Sequence, residues 1–187
     1  TLGNAADDTG VADSDDDGLS DALETNLGTG PNDSDSDDDG ALDGDEANPA
    51  DDHDGDKSIN ALDTDSDDDG LFDGTEQGKG CDDPATDRVK ANCRADDDKG
   101  LTRTSPVNDD TDFGGKKDGL EDVGRNGRID DGESDPNDPS DDKVGDACTT
   151  DPDCGAMDSG VVCDAMICTF GCRGTGGNAC PATHECS

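Results

Sequence analysis

The chain has 187 residues, a formal net charge of −39, 2% aromatic residues and neither Trp nor Tyr. That composition supplies no ordinary hydrophobic core, and by itself it places a chain among acidic disordered proteins, which cannot bury enough apolar surface to offset chain entropy. It also argues against nucleic acid as a partner, because phosphate contacts need clusters of Lys and Arg.

Residues 1–12 show no strand or helix pattern and form an N-terminal extension; they lack a positive n-region and an apolar h-region, so a signal peptide, where one existed, is expected to have been removed already. From Asp13 the string DSDDDGLSDALE places Asp13, Asp15, Asp17, Gly18, Asp21 and Glu24 at positions 1, 3, 5, 6, 9 and 12. The spacing is that of a 12-residue calcium loop. Alternate carboxylates at positions 1, 3 and 5 turn inward, position 7 gives a backbone carbonyl, and a terminal Glu adds two oxygens. Gly at position 6 permits the sharp turn, since it takes positive φ without a Cβ clash. After the loop, Leu19, Leu23 and Leu27 recur at helical spacing before Gly28 and Gly30-Pro31, which predicts one short helix.

The pattern repeats in full at Asp35, Asp37, Asp39, Gly40, Asp43 and Glu46, and again at Asp65, Asp67, Asp69, Gly70, Asp73 and Glu76. Between these two copies, DHDGDKSINALD supplies Asp52, Asp54, Asp56, Asn60 and Asp63, with Lys57 in the glycine position and hence a more strained closure. An acidic run alone is usually a solvated, disordered face. Repetition with fixed Gly and Glu offsets sets residues 13–76 apart as tandem calcium-binding loops.

Residues 77–109 break the rhythm, hold Cys81 and Cys93, and gather Arg88, Lys90, Arg94, Lys99 and Arg103. A local disulfide loop is expected there. The bases either remain solvated or meet the acidic face of residues 1–76, in the same chain or a neighbour; exposed ion pairs contribute little. Residues 110–147 read as degenerate repeats. Asp122, Asn126, Gly127, Asp130 and Glu133 fit positions 1, 5, 6, 9 and 12, with Gly124 at position 3, while Asp138, Ser140, Asp142 and Asp146 align more loosely around Lys143. Asp110, Asp112 and Asp118 bracket Phe113 to Lys117, read as an insertion that spoils a loop. Scattered apolar residues, Leu42, Ile59, Leu62, Leu71, Phe72, Leu120, Ile129 and Val144, are expected to pack one repeat on the next.

Charge follows these boundaries. Residues 1–80 carry 27 acids against Lys57 and Lys79, residues 81–147 carry 20 against 10 bases, and residues 148–187 carry five against Arg173. The last forty residues instead concentrate Cys148, Cys154, Cys163, Cys168, Cys172, Cys180 and Cys186. Such density in a short segment reads as a disulfide scaffold made in an oxidising compartment. Zinc is the rival, but the segment has no Cys-x-x-Cys and only His184. Nine cysteines in all is odd, so one is expected to be free, to pair with another chain, or to pair beyond Ser187. No apolar run reaches the roughly 18 residues of a membrane span.

DSDDDGLSDALETNLGTGPNDSDSDDDGALDGDE, and DDKVGDAC further on, resemble thrombospondin type 3 repeats, especially the bacterial form of surface proteins, over residues 13–148. The resemblance implies a chain wrapped around a row of calcium ions with little conventional secondary structure, serving as a calcium-stiffened stalk, spacer or adhesive rod. It is interrupted at residues 77–118, Lys57, Gly124 and Lys143. The third loop is also similar to a dockerin half-site, without a matched partner loop. The cysteine-rich end resembles small modules of bacterial surface proteins and Dickkopf-like domains.

An enzyme needs titratable groups in a dry cleft, whereas this chain has two histidines, no nucleophile motif and no phosphate-cradling loop. Paired carboxylates could serve a glycosidase, but each has a better use as a calcium ligand. The sequence therefore predicts a mostly irregular fold with little regular secondary structure: an elongated calcium-binding repeat array followed by a small disulfide-rich domain. The expected function is non-enzymatic, extracellular or cell-surface and structural, with about five or more calcium ions. Self-association into fibres, or contact with other surface proteins, would follow from the charge asymmetry and the odd cysteine. The alternatives are a soluble low-affinity calcium buffer and a spacer attached to a catalytic domain elsewhere.

Overall fold

The computed structural model describes residues 11–142 and two strands near the C-terminus. Most of the described chain is irregular, as the sparse apolar pattern predicts. Three short helices punctuate it: α1 (Asp21–Leu27), α2 (Asp73–Glu76) and α3 (Asp118–Glu121), with a single 3-10 turn at Asn60–Leu62. All begin at position 9 of a 12-residue loop, and the three helices carry positions 9 to 12. α1 alone runs on, because Ser20 caps its N-terminus by accepting from the Leu23 amide and Gly28, at φ 95°, ends it with an N–H bond to the Glu24 carbonyl. β1 (Val161–Asp164) and β2 (Ile167–Phe170) pair antiparallel with Cys163 opposite Cys168. Cys168 is buried and disulfide-bonded. The rest of the disulfide scaffold expected at residues 148–187 lies outside the described residues, as do Val144 and Asp146.

Two compact units are present. One extends to Asp109 and takes in Gly124–Arg128; the other comprises Asp110–Val123 and resumes at Ile129. Among the described residues neither shows an apolar centre of ordinary size. Among the described residues the buried hydrophobic side chains are Ala41, Ala61, Leu71 and Cys168, while Glu24, Asp35, Asp39, Asp43, Asp73, Glu76, Asp118 and Glu121 are all buried. The expectation that apolar pegs pack repeat on repeat is therefore corrected for part of the set. Leu71 is buried and Leu42, Ile59 and Phe72 are half-buried, while Leu62, Leu120 and Ile129 are exposed. No helix among the described residues is long and apolar enough to cross a membrane.

Candidate metal centres

The loops share one backbone course. Positions 4 and 6 take positive φ: Asp16 and Gly18 at 63° and 106°, Asp38 and Gly40 at 67° and 106°, Gly55 and Lys57 at 84° and 93°, Asp68 and Gly70 at 53° and 103°. Asp at position 4 tolerates this because short polar side chains visit the left-handed region most readily. The position 1 carboxylate then gathers amides, Asp13 from Asp16 (2.9 Å) and Gly18 (3.3 Å), Asp65 from Asp69 (3.1 Å) and Gly70 (2.9 Å). Position 5 accepts from the amide of position 7 at 2.7 Å in Asp17, Asp39 and Asp69 and at 2.6 Å in Asp56.

Position 9 closes the loop. The Ser14 amide and hydroxyl donate to Asp21 at 2.8 and 2.9 Å, those of Ser36 to Asp43 at 2.8 and 2.6 Å, and those of Ser66 to Asp73 at 2.9 and 2.6 Å. Its own amide bonds back to the residue before position 1, as Asp21 does to Ala12 and Asp73 to Thr64. Sequence spacing reads position 9 as a ligand of its own loop; the structure uses it first as a clasp.

Two kinds of acidic centre result. Within loops, one carboxylate oxygen each from Asp13, Asp15 and Asp17 lies within 4.8 Å of the others, and the same holds for Asp35, Asp37 and Asp39 and for Asp52, Asp54 and Asp56. Between loops, Asp17 and Glu24 meet Asp43 of the next loop, and Asp39 and Glu46 meet Asp73, at the same separations. Position 12 thus joins position 5 of its own loop to position 9 of another. Loop 35–46 is paired with loop 65–76, and loop 52–63 is passed over. That third loop has Asn60 at position 9, its amide nitrogen donating to the Ala47 carbonyl (2.6 Å), and its three aspartates are exposed. Asp63, at its end, accepts from the Asp65 amide (3.3 Å).

Burial makes these centres unstable without a cation. Both oxygens of Asp15, Glu24 and Asp67, and single oxygens of Asp17, Asp35, Asp37, Glu46 and Glu76, are buried with no hydrogen-bond donor. Burial, reinforced by neighbouring carboxylates, pushes Asp17 up to about 6, Glu24 to about 7, Asp37 to about 8 and Glu46 to about 11. Unpaired buried charge is strongly unfavourable unless it is neutralised or coordinated. The donors are all hard oxygens, without sulfur or imidazole. They suit a calcium-class ion, whose oxygen ligands at about 2.4 Å would themselves lie up to about 4.8 Å apart.

The insertion at residues 77–109 closes over loop 35–46. Cys81 and Cys93 form its disulfide. Thr86 donates to Asp35, the Asp87 amide to Asp38 (2.6 Å), and the Asn92 amide nitrogen to the Asp37 carbonyl (2.6 Å). Two lysines reach the acidic face, Lys90 on Asp38 and Lys79 on Asp45 (2.6 Å). Arg88 pairs with Asp82 (3.5 Å), and Arg94 donates to the Gly124 carbonyl (2.8 Å). Farther along, Thr104 donates to Glu76 (2.8 Å) at the end of loop 65–76.

The reading of an insertion at Phe113 to Lys117 is overturned. DTDFGGKKDGLE runs in register from Asp110: the Thr111 amide and hydroxyl donate to Asp118 at 2.9 and 2.6 Å, the Gly114 and Gly115 amides to Asp110 at 3.1 and 3.0 Å, and Phe113 and Gly115 take φ of 62° and 106°. Counting from Asp110 to Gly115, Asp118 and Glu121 reveals the loop; Gly114 at position 5 hides it. The stretch from Asp122 to Glu133 keeps the front half of a loop. Arg125 and Gly127 have φ of 51° and 69°, and the Arg128 amide donates to Asn126 (3.0 Å). Asn126 also donates to Asp97 (3.3 Å), and Gly124–Arg128 belong to the first unit. Asp122 and Asp130 lie in the second, where the Asp130 amide donates to Glu133 (2.8 Å). Comparisons with protein-family models, with curated proteins and with solved structures find no match.

Proposed function

We propose that the chain is a non-enzymatic, extracellular calcium-binding structural protein of the thrombospondin type 3 kind, a calcium-stiffened rod that serves as a surface stalk, an adhesive spacer or a fibre subunit. The observation that carries this reading is the sharing of buried, donor-less carboxylates between loops: Glu24 and Asp17 with Asp43, Glu46 and Asp39 with Asp73. An ion at such a centre fastens one loop to the next, so occupancy and stiffness are linked. Asp13, Asp15 and Asp17, and their counterparts in loops 35–46, 52–63 and 65–76, would hold ions within the loops. A cation supplies charge neutralisation and cross-linking; the chain's own amides and Ser hydroxyls hold the carboxylates in place.

The test is a calcium titration after chelation under non-reducing conditions, following hydrodynamic size and bound ions per chain together. Uptake of about five or more ions with compaction into one species supports the rod. Calcium-dependent growth beyond monomer size supports the fibre subunit. Ion uptake without any change in size would sink the structural role and leave a passive acidic buffer.

A further inference from the structure

In the first unit, position 10 of one loop rests on position 5 of another. Position 10 is glycine in both cases, Gly44 and Gly74. A Cβ at Gly44 would overlap the Asp17 carbonyl oxygen, and one at Gly74 would fall 2.5 Å from the Asp39 carbonyl oxygen. The second unit differs at position 5. Loop 110–121 has glycine at position 5, and the space that a Gly114 Cβ would occupy is filled by the carboxylate of Asp142. The neighbouring Asp141 accepts from the Asp135 amide at 3.3 and 3.1 Å, the six-residue span by which Ser36 accepts from the Gly30 amide (3.0 Å) in the first unit.

We propose that loop 110–121 holds a calcium-class ion through a carboxylate supplied across the repeat junction by Asp142, acting with Asp110, Asp112 and Glu121 in place of the missing position 5 aspartate. The acidic cluster alone would not carry this. Glu121 and Asp142 are 0% and 5% exposed, and all four of their carboxylate oxygens, with Oδ2 of Asp112, are buried without a donor. The ammonium of Lys116, a nearby cation, donates to the Ser134 hydroxyl (2.8 Å). Asp142 thus places a carboxylate beside Gly114, where the other loops carry a position 5 aspartate.

This assignment rests on the calcium reading above, and its test separates the two. The full chain is stripped of metal and titrated with calcium by calorimetry, with bound ions counted by native mass spectrometry. D142G should lose one ion, or weaken that site by about tenfold or more through the lost ligand charge. The exchange variant G114D/D142G, which gives loop 110–121 the position 5 aspartate of the other loops, should regain it. A wild-type ion count and affinity in D142G, or an exchange variant no better than D142G, overturns the proposal while the other loops still bind. A wild-type chain that takes up no calcium overturns both readings.

Discussion

Asp43 belongs to the second loop, yet its carboxylate lies with that of Glu24, at the end of the first, with ligand oxygens within 4.8 Å and both side chains buried. Neither Glu24 oxygen has a donor, whereas both Asp43 oxygens are clasped by Ser36. Glu24 is therefore the residue that can be altered without opening a loop.

Glu24→Gln should act with opposite sign in the two states. In calcium the variant loses a charged ligand of a shared centre; a site saturated tenfold above its Kd contributes about 1.4 kcal/mol, so stability should fall by about that amount. Without calcium the same change removes a buried, unpaired charge and should be neutral or stabilising. Thermal unfolding with calcium and with chelator measures both; equal losses in the two would refute the centre.

Gly74→Ala should destabilise the calcium-loaded protein by about 1–3 kcal/mol, as overpacking of a tight contact does. Its Cβ would sit 2.5 Å from the Asp39 carbonyl oxygen and 2.8 Å from backbone atoms of Gly40, none of which can swing away. Calcium affinity at the Asp39, Glu46 and Asp73 centre should fall with it, read by calorimetry.

Lys57→Gly should tighten the third loop. Lys57 holds φ 93° at the position where other loops have glycine, and a left-handed conformation costs an L-residue about 1 kcal/mol. Relief on that scale is roughly a fivefold gain in calcium affinity for the site of Asp52, Asp54 and Asp56, before the removal of a positive charge is added. An unchanged isotherm would show that the loop does not close around an ion.

Proton and calcium should compete. In the ion-free chain, burial first and neighbouring charges second hold Asp17 near 6, Glu24 and Asp67 near 7 and Asp37 near 8, against ordinary values of 3.8 for Asp and 4.5 for Glu. Folded values above unfolded ones mean that the folded chain binds more protons, so this stabilisation is present below about pH 4 and is lost as pH rises through about 6 to 8. Chelated protein should therefore lose stability across that window, and calcium uptake at pH 7 should release protons and strengthen with pH. Chelated protein that becomes more stable from pH 6 to 8 would contradict the burial of these groups.

How much of this could be read from the sequence depends on span. The loop itself is local: position 2 reaches position 9 across seven residues, and position 1 collects amides no more than five residues ahead, so Asp13 to Glu24 and its copies declare themselves by spacing alone. The helix at Asp21–Leu27 was equally legible, since its leucines, Ser20 and Gly28 all act within two turns. Loop 110–121 has the same local signal, masked only by Gly114 and Phe113.

The sequence by itself determined the loops, the ligand chemistry and the scarcity of apolar side chains, because each follows from composition or from contacts between near neighbours. Only the tertiary structure decided which carboxylates share a centre: that loop 35–46 meets 65–76 rather than 52–63, that the Cys81–Cys93 segment covers Asp35 and Asp38, and that Asp142 fills the space beside Gly114. Those partners lie about 25 to 55 residues apart along the chain. Spacing carries no information at that range; the room left by a missing Cβ, and the need of a buried carboxylate for a cation, select the partner.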